Sequence, residues 1–325
     1  MTTPQDWVRR CAESAAVSRG MSRDISHDMQ AAALSIVEQH PDVALPVSST
    51  PAWLFTHDSL AYRAAKLAAL ALGFVEADAQ VVALAWHAQT QRTGRFDVSD
   101  WPVHVADFGL QAHPIANAFA PCPQLGLYAV LPDAAWCGRM ARAGVPTVQL
   151  RFKSDDPDAI ESEVHAAVQA VQGTGALLFI NDHWQAAIRA GAYGVHLGQE
   201  DMQDAPIQTI RDAGLRLGLS THGYAEMLKA DAHSPSYLAL GAVYPTTLKR
   251  MATAPQGPQR LQRYAALMRN YPLVAIGGVD EGKLPEVLAS GVGSVAMVRQ
   301  LIASEQPEAT AAQLLQRMRL ATKVT

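Results

Sequence analysis

The chain from about Leu125 onward contains eight short apolar runs, each followed by an amphipathic stretch of helical length. Continuous apolar character is typical of strands covered on both faces, as in a parallel sheet with crossover helices. The pattern predicts an α/β fold, specifically a (β/α)8 TIM barrel. The runs are Gly126–Leu131, Thr147–Arg151, Leu177–Asn181, Gly194–Leu197, Leu215–Ser220, Tyr237–Gly241, Leu273–Ile276 and Ser294–Val298.

An open, doubly wound sheet is the alternative arrangement of eight parallel strands. Two features of the sequence disfavour it. No G-x-G-x-x-G turn opens the first helix, and polar residues follow nearly every run. In a barrel the carboxyl ends of all strands converge on one face, so these polar residues would form one site.

The first 120 residues follow a different pattern, in which helical periodicity replaces strand-like runs. Apolar positions fall on one helical face in Met29–Glu38, Leu60–Gly73 and Ala77–Thr90. The segment Ala118–Gln124 contains two prolines and is predicted to be an extended linker. We therefore predict a smaller, mainly helical N-terminal region of unknown role over 1–120 and a barrel domain over 121–325.

The charge composition limits the kinds of partner that the chain can bind. The 325 residues include 26 basic and 30 acidic side chains, for a net charge of −4. This balance gives no basic surface for nucleic acid or an anionic membrane, so phosphate binding must be local. No signal peptide or membrane span is present, and the three cysteines lack metal-like spacing, so we expect a cytoplasmic protein. A homo-oligomer is left open.

Basic and amide side chains follow the second run. Alternation along a strand places Gln149, Arg151 and Lys153 on one side. An arginine fork and a lysine point charge suit a diphosphate, although a solvated strand end is the alternative.

Carboxylates follow the third and fourth runs. Asn181 and Asp182 end the third, and Asp201 follows the fourth. Both segments precede helices, so ordinary helix capping is one interpretation. Two aspartates at neighbouring strand ends can also hold one Mg²⁺, with water and substrate phosphates completing its ligands.

The remaining runs end in hydroxyl, imidazole, lysine and glycine groups. Paired glycines after the seventh run and a turn after the eighth are typical of the phosphate cup of a barrel. We interpret His222 as structural rather than as a base. The candidate residues at these ends are Ser220, Thr246, Lys249, Gly278, Val298 and Arg299.

These motifs together resemble the thiamine phosphate synthase family over about Leu125–Ser304. The matching segments are GVPTVQLRFK, FINDHWQAAIRAGAYGVHLGQEDM, GLSTHGYAEM, ALGAVYPTTLK and VAIGGV. The resemblance implies a Mg²⁺-dependent transferase that joins a hydroxymethylpyrimidine diphosphate to a thiazole phosphate and releases pyrophosphate.

The resemblance also implies a role for each matched residue. Asp182 and Asp201 would bind Mg²⁺, and Arg151, Lys153 and Lys249 would stabilise the departing diphosphate. The pyrimidine substrate would be bound by Gln149, Arg151, Lys153, Asn181, Ser220 and Lys249. The thiazole phosphate would be bound by Thr246, Gly278, Val298 and Arg299.

Several positions depart from the family pattern, mainly on the thiazole side. The family has acidic residues at or near Phe152 and Ser154, a threonine at Leu248 and a serine at Arg299. We expect these departures to alter thiazole affinity rather than to abolish catalysis.

Two other functions stay open on the sequence. One is a thiazole tautomerase with His222 as its proton-transfer group, and the other is a non-catalytic barrel that binds thiazole phosphate or product. Neither needs the paired aspartates. The segment Ala64–Phe96 is similar to the last helices of hydroxymethylpyrimidine phosphate kinases, but no nucleotide-binding loop accompanies it.

Overall fold

The computed structural model describes residues 3–19, 23–47, 55–110, 117–246 and 253–321. The chain forms two compact units. The first consists mainly of the chain before His113 and includes Gly223–Leu228, and the second consists mainly of the rest. Within the described ranges, no helix is long and apolar enough to cross a bilayer.

The first unit is helical, as predicted, and contains no strand in its described part. The three predicted helices are confirmed, and an additional helix precedes them. The chain also forms short 3-10 helices at Pro41–Val43 and Val105–Phe108. The α-helices are α1 (Pro4–Arg19), α2 (Arg23–Gln39), α3 (Leu60–Ala71) and α4 (Glu76–Thr93).

Local sequence sets the ends of the two central helices of this unit. The Ser59 hydroxyl caps α3 by accepting a hydrogen bond from the Tyr62 backbone N–H. Gly94 ends α4 in the left-handed conformation at φ 76°, which glycine adopts without steric cost. Alanines and leucines of α3 and the Trp86 side chain of α4 are buried, so the pair forms the core of the unit.

The second unit is a closed barrel of eight parallel strands in sequential order, and β1 pairs with β8. The predicted TIM barrel is confirmed, and each strand overlaps one predicted run. The strands are β1 (Leu127–Leu131), β2 (Thr147–Leu150), β3 (Leu177–Asn181), β4 (Gly194–Leu197), β5 (Arg216–Thr221), β6 (Tyr237–Leu240), β7 (Leu273–Ala275) and β8 (Ser294–Met297).

Helices occupy the segments between the strands and after the last one. Asp133 and Asp156 cap the first two by accepting hydrogen bonds from backbone N–H groups. The helices are α5 (Ala134–Arg142), α6 (Pro157–Val171), α7 (Trp184–Ala190), α8 (Asp201–Asp204), α9 (Ile207–Asp212), α10 (Tyr224–Asp231), α11 (Gly257–Leu267), α12 (Leu284–Ala289), α13 (Arg299–Ile302) and α14 (Pro307–Ala321).

Aromatic rings fill the interior of the barrel. Tyr128, Phe179 and Tyr237 pack together with small and branched residues from β6, β7 and β8. Gly194 leaves space for the Phe179 ring, because an added Cβ would lie 2.5 Å from a ring carbon. The interior is therefore a packed core, and the polar residues are left at the carboxyl ends of the strands.

Candidate active site

A cavity of about 630 Å³ opens at the carboxyl ends of the barrel strands. Its volume is in the range of small-molecule sites. Ten of the twelve site residues predicted from sequence line it, and they come from the ends of seven strands or the loops that follow. They are Gln149, Arg151, Asn181, Asp182, Asp201, Ser220, Thr246, Gly278, Val298 and Arg299.

The two predicted lysines are not among these lining residues. Strand β2 ends at Leu150, and Lys153 is exposed in the segment beyond it. Strand alternation therefore does not extend to Lys153. Lys249, together with the neighbouring Leu248, lies outside the described residues.

The Asp182 and Asp201 carboxyl groups are hydrogen-bonding neighbours inside the cavity. Burial raises the pKa of Asp182 above its usual value, and the charge of Asp201 and the hydrogen bond between the two carboxyl groups raise it further. Arg151 and His183 act in the opposite direction. Two carboxylates this close disfavour each other's ionisation, so the pair attracts a proton or a metal cation.

The backbone at Asp182 holds this carboxylate in place. Asp182 has a φ of 63°, in the left-handed region that a non-glycine residue rarely occupies. Its N–H donates to the carbonyl of His196 on β4, at 3.0 Å, and its carbonyl accepts from the Trp184 N–H at 2.8 Å. Strained backbone of this kind is often retained at functional sites.

Helix capping does not account for these two aspartates. The residue before α7 is His183, which makes no side-chain capping bond, and the Asp182 carboxylate instead accepts from the Asn181 amide. Asp201 is the first residue of α8, where Glu200 occupies the cap position without a side-chain capping bond.

The residues present fit a magnesium ion. Mg²⁺ is bound through one or two carboxylates while substrate phosphates and water supply the other oxygens, and Asp182 and Asp201 provide such a pair. Within the described ranges no group of three or more His, Cys, Asp or Glu side chains could enclose a metal.

Glycines shape the opposite side of the cavity. Gly277 and Gly278 have φ values of 99° and 64°. A Cβ at Gly278 would lie 2.5 Å from the Pro245 carbonyl oxygen, so the loops after β6 and β7 can approach only with glycine here. The Lys283 ammonium group donates to the Gly278 carbonyl at 2.9 Å and to the Asp280 carboxylate at 2.8 Å.

Sequence analysis missed several lining residues, and two of them, His196 and Lys283, make hydrogen bonds that shape the site. His196 lies within β4 rather than after it, whereas the site residues predicted from sequence were those near the ends of the runs. Lys283 belongs to the segment before α12 and reaches back to Gly278. No local pattern marks it, because the contact depends on how the loop folds. His222, as expected from its position after β5, lines the cavity.

Comparison with known proteins identifies the family of the barrel. The family model described as thiamine monophosphate synthase matches residues 128–301. This chain belongs to that family.

Individual members of the thiamine monophosphate synthase family are closely similar to this chain over the barrel. A thiamine-phosphate synthase of Neisseria meningitidis serogroup B is 52% identical over 185 residues, covering 57% of this chain and 90% of the relative. One from Escherichia coli O6:H1 is 47% identical over 199 residues, covering 61% of this chain and 94% of the relative. The solved thiamine phosphate pyrophosphorylase of Pyrococcus furiosus superposes with a TM-score of 0.55 at 25% identity, covering 61% of this chain and 97% of that one.

Proposed function

We propose that this enzyme joins a hydroxymethylpyrimidine diphosphate to a thiazole phosphate, forming thiamine phosphate and releasing pyrophosphate. The observation that carries the proposal is the Asp182–Asp201 pair, which shares one cavity with Arg151. A tautomerase or a binding barrel has no use for such a pair. The family membership and the similar synthases support the same reaction.

Polar side chains of the β2 and β3 ends would bind the diphosphate. Gln149 is 4% exposed, so its amide is held within the barrel wall, and Arg151 and Asn181 are half-buried beside the two aspartates. An arginine fork presents parallel N–H donors that match phosphate oxygens. Lys153 and Lys249 stay predictions as further diphosphate ligands, because neither is among the described lining residues.

Asp182 and Asp201 would hold Mg²⁺, which supplies neutralisation of the charge that develops on the departing pyrophosphate. Burial and the charge of Asp201 raise the pKa of Asp182. A bound Mg²⁺ would supply the positive charge that offsets both. Arg151 would add a fixed positive charge on the same side of the leaving group.

Loss of pyrophosphate would leave a pyrimidinylmethyl cation, which the thiazole nitrogen attacks. This chemistry needs no protein nucleophile, and the enzyme would act by positioning two substrates and stabilising charge. Thr246, Gly278, Val298 and Arg299 line the side of the cavity on which we place the thiazole phosphate.

Further parts of the proposal concern the setting of the enzyme. We propose that it acts on free small molecules in the cytoplasm, binds neither nucleic acid nor membrane, and leaves residues 1–120 outside the catalytic domain. The family match begins at residue 128 and so does not bear on the N-terminal region. A homo-oligomer stays a prediction that gel filtration can test.

The deciding experiment measures pyrophosphate release and thiamine phosphate formation by the full-length protein, with both substrates and with or without Mg²⁺. We expect turnover that requires the metal and is abolished in Asp182→Ala. Glu305→Ala, which removes an exposed carboxylate outside the cavity lining, is the control and should retain turnover. Turnover in EDTA, or no product at saturating substrates, would contradict the proposal.

A further inference from the structure

A chain of hydrogen bonds runs through the barrel interior and ends at the cavity. The Tyr128 and Tyr237 hydroxyls are 2.8 Å apart, and the Tyr237 hydroxyl is 2.7 Å from His196 Nδ1. His196 Nε2 is in turn 2.8 Å from Ser220 Oγ. Tyr128 and Tyr237 are buried in the core, whereas His196 and Ser220 line the cavity. These hydrogen bonds therefore connect the packed interior to a residue that lines the cavity.

A glycine allows the histidine and the tyrosine to meet. His196 on β4 is in register with Gly218 on β5, and Gly218 is in register with Tyr237 on β6. A Cβ at Gly218 would overlap the Tyr237 ring. The two side chains thus contact each other across the intervening strand only because that strand carries no side chain at this level.

Tyr128, the buried end of this series of hydrogen bonds, determines which group donates in each bond. Each hydroxyl has one hydrogen to donate. Tyr128 lies among apolar side chains, and Tyr237 is its hydrogen-bond partner within the described residues. A donor left unsatisfied in such surroundings costs free energy, so Tyr128 donates to Tyr237. Burial raises the pKa of both tyrosines, and both keep their hydrogens at neutral pH.

The remaining directions follow from the first. Because Tyr237 accepts from Tyr128, its own hydrogen goes to His196 Nδ1. A neutral imidazole then carries its hydrogen on Nε2, which donates to Ser220 Oγ. The hydroxyl hydrogen of Ser220 is left to point into the cavity.

We propose that the Tyr128–Tyr237 pair fixes the tautomer of His196 and thereby makes Ser220 a hydrogen-bond donor to the substrate. Tyr237 and His196 are positioning residues that act through Ser220. The substrate atom facing Ser220 is then an acceptor, such as an unprotonated pyrimidine ring nitrogen. The identification of this substrate atom rests on the proposed function. The assignment of the His196 tautomer rests only on the hydrogen bonds described above.

The first test compares two variants that each remove one buried hydroxyl. Tyr237→Phe removes the donor to His196, whereas Tyr128→Phe leaves Tyr237 able to donate. We expect Tyr237→Phe to raise KM for the pyrimidine substrate about tenfold, the equivalent of one hydrogen bond, and Tyr128→Phe to raise it roughly twofold at most. Tyr271→Phe is the control and should leave KM unchanged. The Tyr271 hydroxyl donates to Asp231, which is not one of the hydrogen-bonded residues between Tyr128 and Ser220. Equal effects of Tyr237→Phe and Tyr128→Phe on KM would overturn the proposal.

A coupling test shows whether Tyr237 acts through Ser220. In a Ser220→Ala background, Tyr237→Phe should no longer change KM, because the group that it orients is gone. An undiminished effect in that background would show that Tyr237 acts by another route.

The tautomer itself can be measured without substrate. Long-range ¹⁵N–¹H correlation of full-length protein labelled with ¹⁵N-histidine distinguishes a neutral Nε2–H ring from Nδ1–H and doubly protonated rings. We expect His196, assigned by the loss of its signals in His196→Gln, to be the neutral Nε2–H form in the wild type. A protonated Nδ1 overturns the proposal whether or not the protein makes thiamine phosphate. If the protein shows the expected tautomer but has no synthase activity, the proposed hydrogen-bond directions are supported and the assigned substrate is rejected.

Discussion

Both units of the protein place charged side chains next to one another, but the signs of the paired charges differ between the units. In the helical unit the buried side chains of Lys66 and Asp107 each face an opposite charge. Lys66, which is 3% exposed, pairs with Glu76 at 2.7 Å, and Arg92 donates two hydrogen bonds to the buried carboxylate of Asp107. In the barrel cavity, Asp182 faces a second carboxylate, Asp201.

This contrast separates structural charges from functional ones. In an opposite-charge pair each member compensates the other, so that removing one leaves an uncompensated buried charge and destabilises the folded unit. A pair of like charges destabilises the site in the absence of ligand, and it is retained where a ligand supplies the missing opposite charge. Neutralising one member of a pair in the helical unit should therefore lower stability and leave activity unchanged. Neutralising one aspartate of the cavity should lower activity without lowering stability.

The largest expected effect is on turnover in Asp182→Asn. The substitution keeps the shape of the side chain and removes one of the two negative charges, so we expect the turnover number to fall by roughly 100-fold or more. Thermal stability without substrate should stay equal or rise, because the repulsion from Asp201 is relieved. Pyrophosphate release and a thermal melt of the same preparation measure both quantities.

Asp201→Asn is the matched partner of this variant and should behave in the same way. A marked loss of thermal stability in either variant would break the comparison, since it would place these carboxylates among the structural charges.

The second prediction concerns Asp107→Asn in the helical unit. An amide cannot accept both hydrogen bonds from Arg92, and the ion pair of the buried Asp107 carboxylate is lost. We expect the melting temperature to fall by about 5 °C while the turnover number and both KM values stay unchanged. Reduced turnover at a temperature where the variant is fully folded would show that the helical unit contributes to catalysis.

Much of the fold was predictable because it depends on local patterns. Each apolar run became a strand, since buried parallel strands need continuous apolar character. Helix α1 was missed because the buried positions in its described side chains, Trp7, Val8 and Ala12, include one small residue, which weakens the apolar stripe. Helix ends such as Gly94 were within reach of sequence rules.

The site was predictable only where strand ends carry it. Asp182 and Asp201 were found because they follow strands, but their mutual hydrogen bond depends on the pairing of β3 with β4 and on the loops that follow them. The contact between His196 and Tyr237 depends on the register across β5 and on Gly218, which no local pattern reports. Lys283 likewise reaches the site through a loop conformation.

The third prediction tests the glycine side of the cavity through Lys283→Met. The ammonium group ties the Gly278 carbonyl to Asp280, and its loss should loosen the loop on which we place the thiazole phosphate. We expect KM for the thiazole phosphate to rise about fivefold, with KM for the pyrimidine substrate unchanged. A change confined to the pyrimidine substrate would reverse our assignment of the two sides.

The smallest expected effect is that of Arg299→Ala. Arg299 lines the cavity but is exposed, where a charge contributes little and is screened by salt. If its guanidinium group binds the thiazole phosphate in place of the family's serine hydroxyl, KM for that substrate should rise about twofold to threefold at low ionic strength and less at high salt. Steady-state kinetics at two salt concentrations, with Arg319→Ala as an exposed control on α14, separate this local effect from a change in overall charge. An unchanged KM at low salt would mean that Arg299 takes no part in phosphate binding, and the thiazole side would then depend on neutral donors alone. In that case the charged groups of the cavity that act on a ligand would be only the two aspartates and Arg151, in contrast to the ion pairs of the helical unit.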